Sequence, residues 1–185
     1  SPSAPGLATG GSPSSDAASS PTPDPSAFPT AAEASLLARI PSELAATCER
    51  GSMTSYPVIR VNAGVSVFGT RAPLASLTCA VDGQATVVEL RTVPRNVEDA
   101  DHWVSNRAAF YRIGQGDCAT SQRGQGRWQL SGEDAGALAC TVEDGTAILI
   151  WSKTDDDFVG IARRTDGDAA ALRDWWNANN IFISP

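Results

Sequence analysis

The stretch from Leu138 to Trp151 reads L-A-C-T-V-E-D-G-T-A-I-L-I-W, and the fold can be read outward from it. Two apolar runs, 138–142 and 147–151, flank Glu143-Asp144-Gly145. Asp-Gly between residues that favour β-structure is a strong short-range signal for a hairpin. The stretch therefore predicts two antiparallel strands joined by a tight turn.

An earlier stretch, 77–90, has the same pattern and reads L-T-C-A-V-D-G-Q-A-T-V-V-E-L. Sliding one stretch onto the other places Leu77 on Leu138 and Cys79 on Cys140. A hairpin that carries a cysteine in its first strand is therefore predicted twice in the chain.

A second alignment places W-V-S-N at 103–106 on W-N-A-N at 176–179, near the end of each half. We therefore expect an α+β fold in which helices pack on an antiparallel sheet. The sheet would be built from two pseudo-repeated β-hairpin–helix units, with halves at 30–113 and 114–185. A chance resemblance between two β-hairpins is the alternative.

The first 29 residues have a different composition from the rest of the chain. They hold seven of the 12 prolines, eight serines and no Lys or Arg, and Leu7 and Phe28 are their only large apolar residues. Such a segment buries too little apolar surface to offset its ordering entropy. We expect 1–29 to be a disordered, semi-extended tether ahead of a single domain at 30–185. An ordinary interdomain linker is the alternative.

Capping residues and periodicity predict the remaining elements. Thr30 and Glu33 have the spacing of a capping box, and Asn96 and Asp168 are suitable N-cap residues. The predicted helices cover 30–40, 96–111 and 169–179, with a further helical turn from Ser42 that ends at Cys48. The predicted strands cover 56–61, 65–68, 74–81, 85–93, 127–130, 138–142, 147–151 and 157–163.

The charge balance limits the classes of partner. Fourteen Lys and Arg against 21 Asp and Glu give a net charge of -7, with no basic stripe. A nucleic-acid partner is therefore excluded, and an acidic domain should prefer a neutral or cationic peptide or cell-wall fragment. In the strand 85–93, Val88 and Leu90 alternate with Glu89 and Arg91, which predicts one solvent-facing side.

Cysteine usage indicates the cellular compartment. The four cysteines are Cys48, Cys79, Cys118 and Cys140, without a C-x-x-C pair, and His102 is the single histidine. This spacing does not fit a zinc site and favours two disulfides over buried free thiols. Of the three possible pairings, the apparent duplication favours Cys48–Cys79 with Cys118–Cys140. Disulfides predict a secreted or extracytoplasmic protein.

No catalytic residue, metal site or cofactor site stands out. The sequence has no activated-serine motif, and His102 lies within a predicted helix. Asp155, Asp156 and Asp157 lack the spaced ligands and glycine of an EF-hand loop. The five tryptophans could line a groove, but their positions on predicted helix faces and strands favour a packing role.

The candidate binding surface joins two polar segments outside the predicted core. One is the glycine-rich loop 115–127, which carries Arg123 and Arg127, and the other is the turn at 155–157. The ligand is unknown at this stage, and no apolar run approaches the roughly 20 residues of a membrane helix. Because the sequence opens at Ser1, any membrane attachment is expected through an anchor outside it.

Several landmarks together resemble a known family. They are I-P-S-E-L-A-A-T-C, L-A-S-L-T-C-A-V-D, G-D-C, the stretch from Leu138 to Trp151 and A-L-R-D-W-W. Between about Leu36 and Asn180 the chain resembles the extracytoplasmic domains of actinobacterial membrane Ser/Thr protein kinases and related lipoproteins. The kinase motifs V-A-I-K, H-R-D and D-F-G are absent, so the resemblance implies the outer, non-catalytic end of such a protein.

Three functional hypotheses follow. The first is a non-catalytic extracytoplasmic sensor or binding module on a flexible spacer. The resemblance implies that such a module is the outer domain of a membrane Ser/Thr kinase. The second is a secreted or lipid-anchored structural protein of the cell envelope. The third is a small secreted hydrolase that uses a pair of carboxylates.

Overall fold

The computed structural model describes residues 27–62, 65–81, 84–94 and 100–179, and between 56 and 69 it describes the backbone alone. The predicted tether therefore lies almost wholly outside the described residues. Within the described ranges, no helix combines the length and the apolar character that crossing a membrane requires. The elements are α1 (Ala31–Leu37), α2 (Ser42–Ala45), β1 (Cys48–Arg50), β2 (Tyr56–Asn62), β3 (Val65–Arg71), β4 (Ala75–Ala80), β5 (Thr86–Thr92), α3 (Ala100–Phe110), β6 (Gly124–Leu130), β7 (Glu133–Glu143), β8 (Thr146–Lys153), a 3-10 helix (Thr154–Asp156), β9 (Phe158–Arg164) and α4 (Ala169–Asn179).

Seven strands form one antiparallel sheet in the order β1-β4-β5-β9-β8-β7-β6. Strands β2 and β3 pair with each other in a separate two-stranded sheet. The predicted α+β class with helices on an antiparallel sheet is confirmed. The predicted N-cap Asn96 and the turn residues 63–64 and 82–83 lie outside the described residues.

The two predicted hairpins, β4–β5 and β7–β8, have the same register. Cys79 pairs with Val88 in the first hairpin, and Cys140 pairs with Leu149 in the second. These pairs superimpose in the sequence alignment that suggested the repeat. However, β9 separates the hairpins in the sheet, and α3 and α4 lie on opposite sheet faces.

Strand β8 shows why both faces of the sheet must be covered. Ala147, Leu149 and Trp151 point into one core cluster, and Ile148 and Ile150 point into the other. Helices α1, α2 and α4 cover the first face, and α3 covers the second. A continuous apolar run is typical of a strand buried on both faces, and β8 has that pattern.

Helix α1 begins with the predicted capping box and anchors the edge of the sheet. Thr30 and Glu33 satisfy each other's backbone N–H groups, and the Glu33 side chain is only 3% exposed. Arg50 on β1 donates to Glu33 over 2.6 Å. This hydrogen bond, which outweighs the effect of burial, lowers the pKa of Glu33 to about 2. Arg50 also donates to the carbonyl of Ala27 over 3.0 Å, so contacts begin three residues before Thr30.

Two disulfides hold segments that lie far apart in the sequence. Cys48–Cys79 joins neighbouring strands β1 and β4, and Cys118–Cys140 joins the glycine-rich loop to β7. These are the two pairs that the apparent duplication favours. With separations of 31 and 22 residues, each bond stabilises the fold by roughly 3–4 kcal/mol in the loop-entropy model.

The tryptophans pack inside the domain, as the sequence predicted. All five are less than 10% exposed. Trp128 and Trp151 each meet Trp176 edge-on, with ring centroids 5.3 Å and 6.1 Å apart. This arrangement fixes α4 against the centre of the sheet, since edge-to-face pairs add stability beyond area burial.

Gly160 has no side chain, and the Trp151 indole occupies the space that a side chain there would fill. The two residues are cross-strand partners in β8 and β9, and a Cβ on Gly160 would lie 2.2 Å from Cζ2 of Trp151. Gly160→Ala should therefore lower the free energy of unfolding by about 1–3 kcal/mol because the indole is fully buried. Urea denaturation measures this loss.

Gly114→Ala is the matched control, because a Cβ at Gly114 would meet nothing within 4 Å. It should change the free energy of unfolding by less than about 0.5 kcal/mol. Equal stability of the two variants would contradict the proposed packing of Trp151 on Gly160.

Candidate functional site

Arg127, a residue of the predicted binding surface, is held by two carboxylates. Its guanidinium pairs with Asp134 on β7 over 2.7 Å and makes a short contact with Asp101 in the first turn of α3. The hydrogen bonds that Arg127 donates to Asp134, and then the one that it donates to Asp101, raise the pKa of Arg127. Arg127 therefore connects α3 to the edge of the sheet.

Asp101 is the centre of this network. Its carboxylate accepts from the Ser152 hydroxyl over 2.5 Å, the Thr154 hydroxyl over 2.8 Å and the Ala137 N–H over 3.1 Å. Burial alone would raise the pKa of Asp101, but the hydrogen bonds from Ser152, Arg127 and Thr154 outweigh it and lower the pKa. Ser152 is fully buried. Asp101 thus attaches the start of α3 to β7, β8 and the turn that follows.

Arg123 performs the same task at the other end of α3. It donates to the carbonyl of Tyr111 over 2.6 Å, to the Thr141 hydroxyl over 2.7 Å and to Glu143 over 2.7 Å. A cation suits the carbonyl end of a helix, where the helix dipole is negative. The hydrogen bond from Arg123 is also the main cause that lowers the pKa of Glu143. Arg123 and Arg127 therefore hold the two ends of α3 against the sheet.

The predicted acidic turn is the 3-10 helix between β8 and β9. Asp156 pairs with Lys153 over 2.5 Å, and its carbonyl accepts from Arg39 over 3.1 Å. Asp157 adopts a left-handed conformation with φ 50°, and its carbonyl accepts from the Val93 N–H. Asp155 is exposed, whereas Asp156 and Asp157 are half-buried.

The structure shows which residues of the predicted binding surface lie together. The turn and Arg127 lie close together because Thr154 and Arg127 both bind Asp101. Arg123 lies at the opposite end of α3, so the five predicted residues do not form one cluster. Nearly half of each arginine side chain is exposed, while the guanidinium groups bind partners within the domain.

A small pocket of about 200 Å³ lies against the glycine-rich loop, within the predicted surface. The loop can close tightly because a Cβ on Gly124 would lie 2.7 Å from the carbonyl carbon of Gly116. Asp117 folds back on the loop and accepts from the Ala119 N–H over 2.7 Å. The pocket is lined by Gly116, Asp117, Cys118, Gly126, Arg127 and Leu138.

A larger open groove of about 560 Å³ lies at the other end of the domain. It runs between α2, the end of β4 and α4, and its walls carry both apolar and hydrogen-bonding groups. Sequence reasoning missed it because the three elements are distant in the chain. The groove is lined by Glu43, Leu44, Ala46, Thr47, Ala80, Val81, Trp175 and Asn179.

A third feature, on the α3 face of the sheet, corrects the prediction for β5. The alternation predicted that Glu89 and Arg91 face solvent, but Arg91 is only 8% exposed. Glu89 binds Arg91 on its own strand and Arg163 on neighbouring β9. Arg107 from α3 lies close enough for the charges of Arg91 and Arg163 to act on it. We call Arg91, Arg107, Arg163 and Glu89 the arginine cluster.

The acidic side chains whose pKa values are shifted are all stabilised in their ionised form by hydrogen bonds. Four carboxyl groups in the described residues, Glu33, Asp101, Glu143 and Asp166, have shifted pKa values, and each pKa is lowered. Within the same part of the chain, no group of three or more His, Cys, Asp or Glu side chains is placed to hold a metal ion.

Comparison with protein-family models, curated proteins and solved structures gives no significant match to this chain. The resemblance to kinase ectodomains and related lipoproteins therefore stays a prediction from the quoted motifs. The function has to be argued from the geometry of the surfaces.

The Asp101 network generates a prediction about stability. Asp101→Asn should lower the free energy of unfolding at pH 7 by about 2–3 kcal/mol, because charge-assisted hydrogen bonds are lost. The folded-state pKa of Asp101 is depressed, so its contribution is present above the ordinary pKa of 3.8 and is lost as the pH falls through the lower value. The difference in free energy of unfolding between wild type and variant should therefore become smaller at acidic pH.

Urea denaturation of both proteins between pH 7 and pH 2 measures this gap. Asp174→Asn, an exposed aspartate on α4, is the control and should stay near wild type throughout. A loss for Asp101→Asn that does not depend on pH would contradict the role assigned to its charge.

Proposed function

We propose that this chain is a non-catalytic recognition domain that works outside the cytoplasm. The observation that carries the proposal is the pair of disulfides, since such bonds form and persist in oxidising compartments. They fix an edge strand and a surface loop, and such peripheral segments deform more easily than the centre of a sheet. A rigid frame of this kind suits a domain that presents fixed surfaces to a partner.

The groove between α2 and α4 is the binding surface that we assign to this function. Glu43 supplies a carboxylate, Thr47 and Asn179 supply hydrogen-bonding groups, and Leu44 and Trp175 supply apolar surface. Binding sites typically combine an apolar lining with a few polar groups that fix orientation. This lining suits a neutral or cationic peptide or glycan fragment of the cell envelope.

The carboxyl groups favour recognition over the hydrolase alternative. A carboxyl group that acts as a general acid near neutral pH needs a raised pKa. Asp101 has the opposite environment, because the hydrogen bonds from Ser152, Arg127 and Thr154 outweigh its burial and lower its pKa. The role of this chain as the outer domain of a membrane Ser/Thr kinase, or as a related lipoprotein, rests on the sequence resemblance.

The shared register of the two hairpins supports a further part of the proposal, that the domain arose from two β-hairpin–helix units. Cys79 and Cys140 occupy equivalent positions in these hairpins, and both side chains lie in the same core cluster. Each forms a disulfide with a cysteine that precedes its hairpin. In such a history, α3 and α4 came to cover opposite faces.

The proposed function predicts binding without turnover. Calorimetry of the full chain against soluble peptide and glycan fragments of cell envelopes should identify a ligand, and product analysis of the same mixtures should find the ligand intact. Ala80→Trp should fill one wall of the groove and weaken binding by about tenfold or more.

The control is Ala170→Trp, which places the same side chain on an exposed position of α4 outside the groove lining. It should bind like wild type. Turnover that is abolished by substitution of a single carboxylate would contradict the non-catalytic function. Binding that Ala80→Trp leaves unchanged would contradict the groove as its site.

A further inference from the structure

The arginine cluster lies on one continuous patch of the α3 face. In the β5–β9 register, Arg91 is opposite Val159 and Glu89 is opposite Ile161. Val159 and Ile161 point into the core cluster under α3, so Glu89 and Arg91 point to the same face. Arg163 lies two residues beyond Ile161 on β9, and therefore also on this face.

The cluster contains more positive charge than its single carboxylate can neutralise. Arg163 and Arg91 both bind Glu89, the latter over 3.4 Å. Arg107 makes no side-chain hydrogen bond or ion pair in the described part of the chain, and its guanidinium lies 5.2 Å from the centroid of the Trp103 ring. Three guanidinium groups and one carboxylate leave an excess of two positive charges. This excess occurs in a chain whose net charge is -7.

Arg91 has an unsatisfied donor in this patch. The residue is 8% exposed, and its Nε is buried without a hydrogen-bond partner among the described residues. Leaving a buried donor of a charged group unpaired is costly, so such groups usually have a partner. Burial lowers the pKa of Arg107, and the nearby charges of Arg91 and Arg163 act in the same direction.

The side chains beside the cluster indicate the shape of a ligand. Phe110, one turn beyond Arg107 on α3, is 74% exposed and meets the Tyr111 ring edge-on with centroids 5.1 Å apart. Val87, which is opposite Arg163, is also exposed. A site of this kind offers guanidinium groups for an oxyanion and apolar surface for a group attached to it.

We propose that the arginine cluster is a binding site for a phosphate group, as inorganic phosphate or as a phosphate monoester. Guanidinium groups match phosphate oxygens with paired N–H donors, and arginine is the residue most suited to this recognition. A phosphate monoester carries about 1.5 to 2 negative charges at pH 7, which balances the excess of two positive charges. A carboxylate carries one charge and would balance half of it. This site lies on the opposite sheet face from the groove of the proposed function and does not depend on it.

The local charge differs in sign from the whole molecule, and this has a consequence for binding. The net charge predicts neutral or cationic partners, whereas the cluster favours a dianion at one position. Glu89 limits the excess in the free protein. Two variants should therefore act in opposite directions: Arg107→Gln removes a positive charge from the cluster, and Glu89→Gln removes its negative charge.

Calorimetry of the full chain at low salt tests the site with inorganic phosphate, phenyl phosphate and acetate. Phosphate should bind at least about tenfold more tightly than acetate, and phenyl phosphate more tightly than phosphate because its ring can contact Phe110. Arg107→Gln should weaken phosphate binding by about tenfold or more. Glu89→Gln should tighten it by about threefold or more.

The matched control is Arg173→Gln, which removes one positive charge from α4 on the other face of the sheet. It should change phosphate binding by less than about twofold. The melting temperature of ligand-free Arg107→Gln should stay close to that of wild type, since relief of repulsion offsets the loss of the contact with the Trp103 ring. Phosphate should raise the melting temperature of wild type but have little effect on this variant.

Two results would overturn the proposal. One is equal phosphate affinity in Arg107→Gln and Arg173→Gln. The other is a combination of two observations on Arg107→Gln: a lower melting temperature than wild type without ligand, and the same rise in melting temperature as wild type when phosphate is added. This combination would make Arg107 a structural residue. Neither result bears on the groove, because Ala80→Trp tests that surface separately.

Discussion

The burial of β8 on both faces is the constraint on which the rest of this structure depends. Its side chains alternate between two cores, so both faces of the sheet must be covered where β8 lies. Helices α1, α2 and α4 cover one face, and α3 covers the middle of the other. A helix of 11 residues is shorter than the width of seven strands, so α3 by itself does not cover the whole of that face. The unusual polar chemistry of the domain occurs on that face.

The position of α3 follows from this constraint together with three charged residues. Apolar contact holds the middle of the helix over β7 and β8, while Asp101 and Arg123 determine where its two ends lie. Arg127 completes the attachment by neutralising Asp101. Arg123 and Arg127, which the sequence placed on a recognition surface, also belong to the framework that holds α3. Arg107 lies on α3 near Arg91 of β5, and it makes no side-chain hydrogen bond or ion pair with another described residue.

The sequence predicted the local features of this fold better than the distant ones. The Asp-Gly turn and the apolar runs identified both hairpins, and the Thr30 and Asp168 caps identified helix starts, because these signals lie within a few residues. The partners of Arg123, Arg127 and Arg163 were not predictable, since they lie 7 to 74 positions away and outside any local motif. The alternation in β5 was read correctly as two different faces. Its polar face was assigned to water because no local signal shows that Arg91 is buried.

The same reasoning explains why net charge was a poor guide to local chemistry. At an ionic strength of 0.15 M the field of a charge falls off over about 8 Å, so acidic residues elsewhere on the surface have little effect inside the arginine cluster. Close neighbours determine the potential there, and among the described residues they include three guanidinium groups, one carboxylate and the Trp103 ring. Burial strengthens the electrostatic interaction between neighbouring charges. If the proposed dianion binds there, its occupancy and the stability of the domain must be thermodynamically linked.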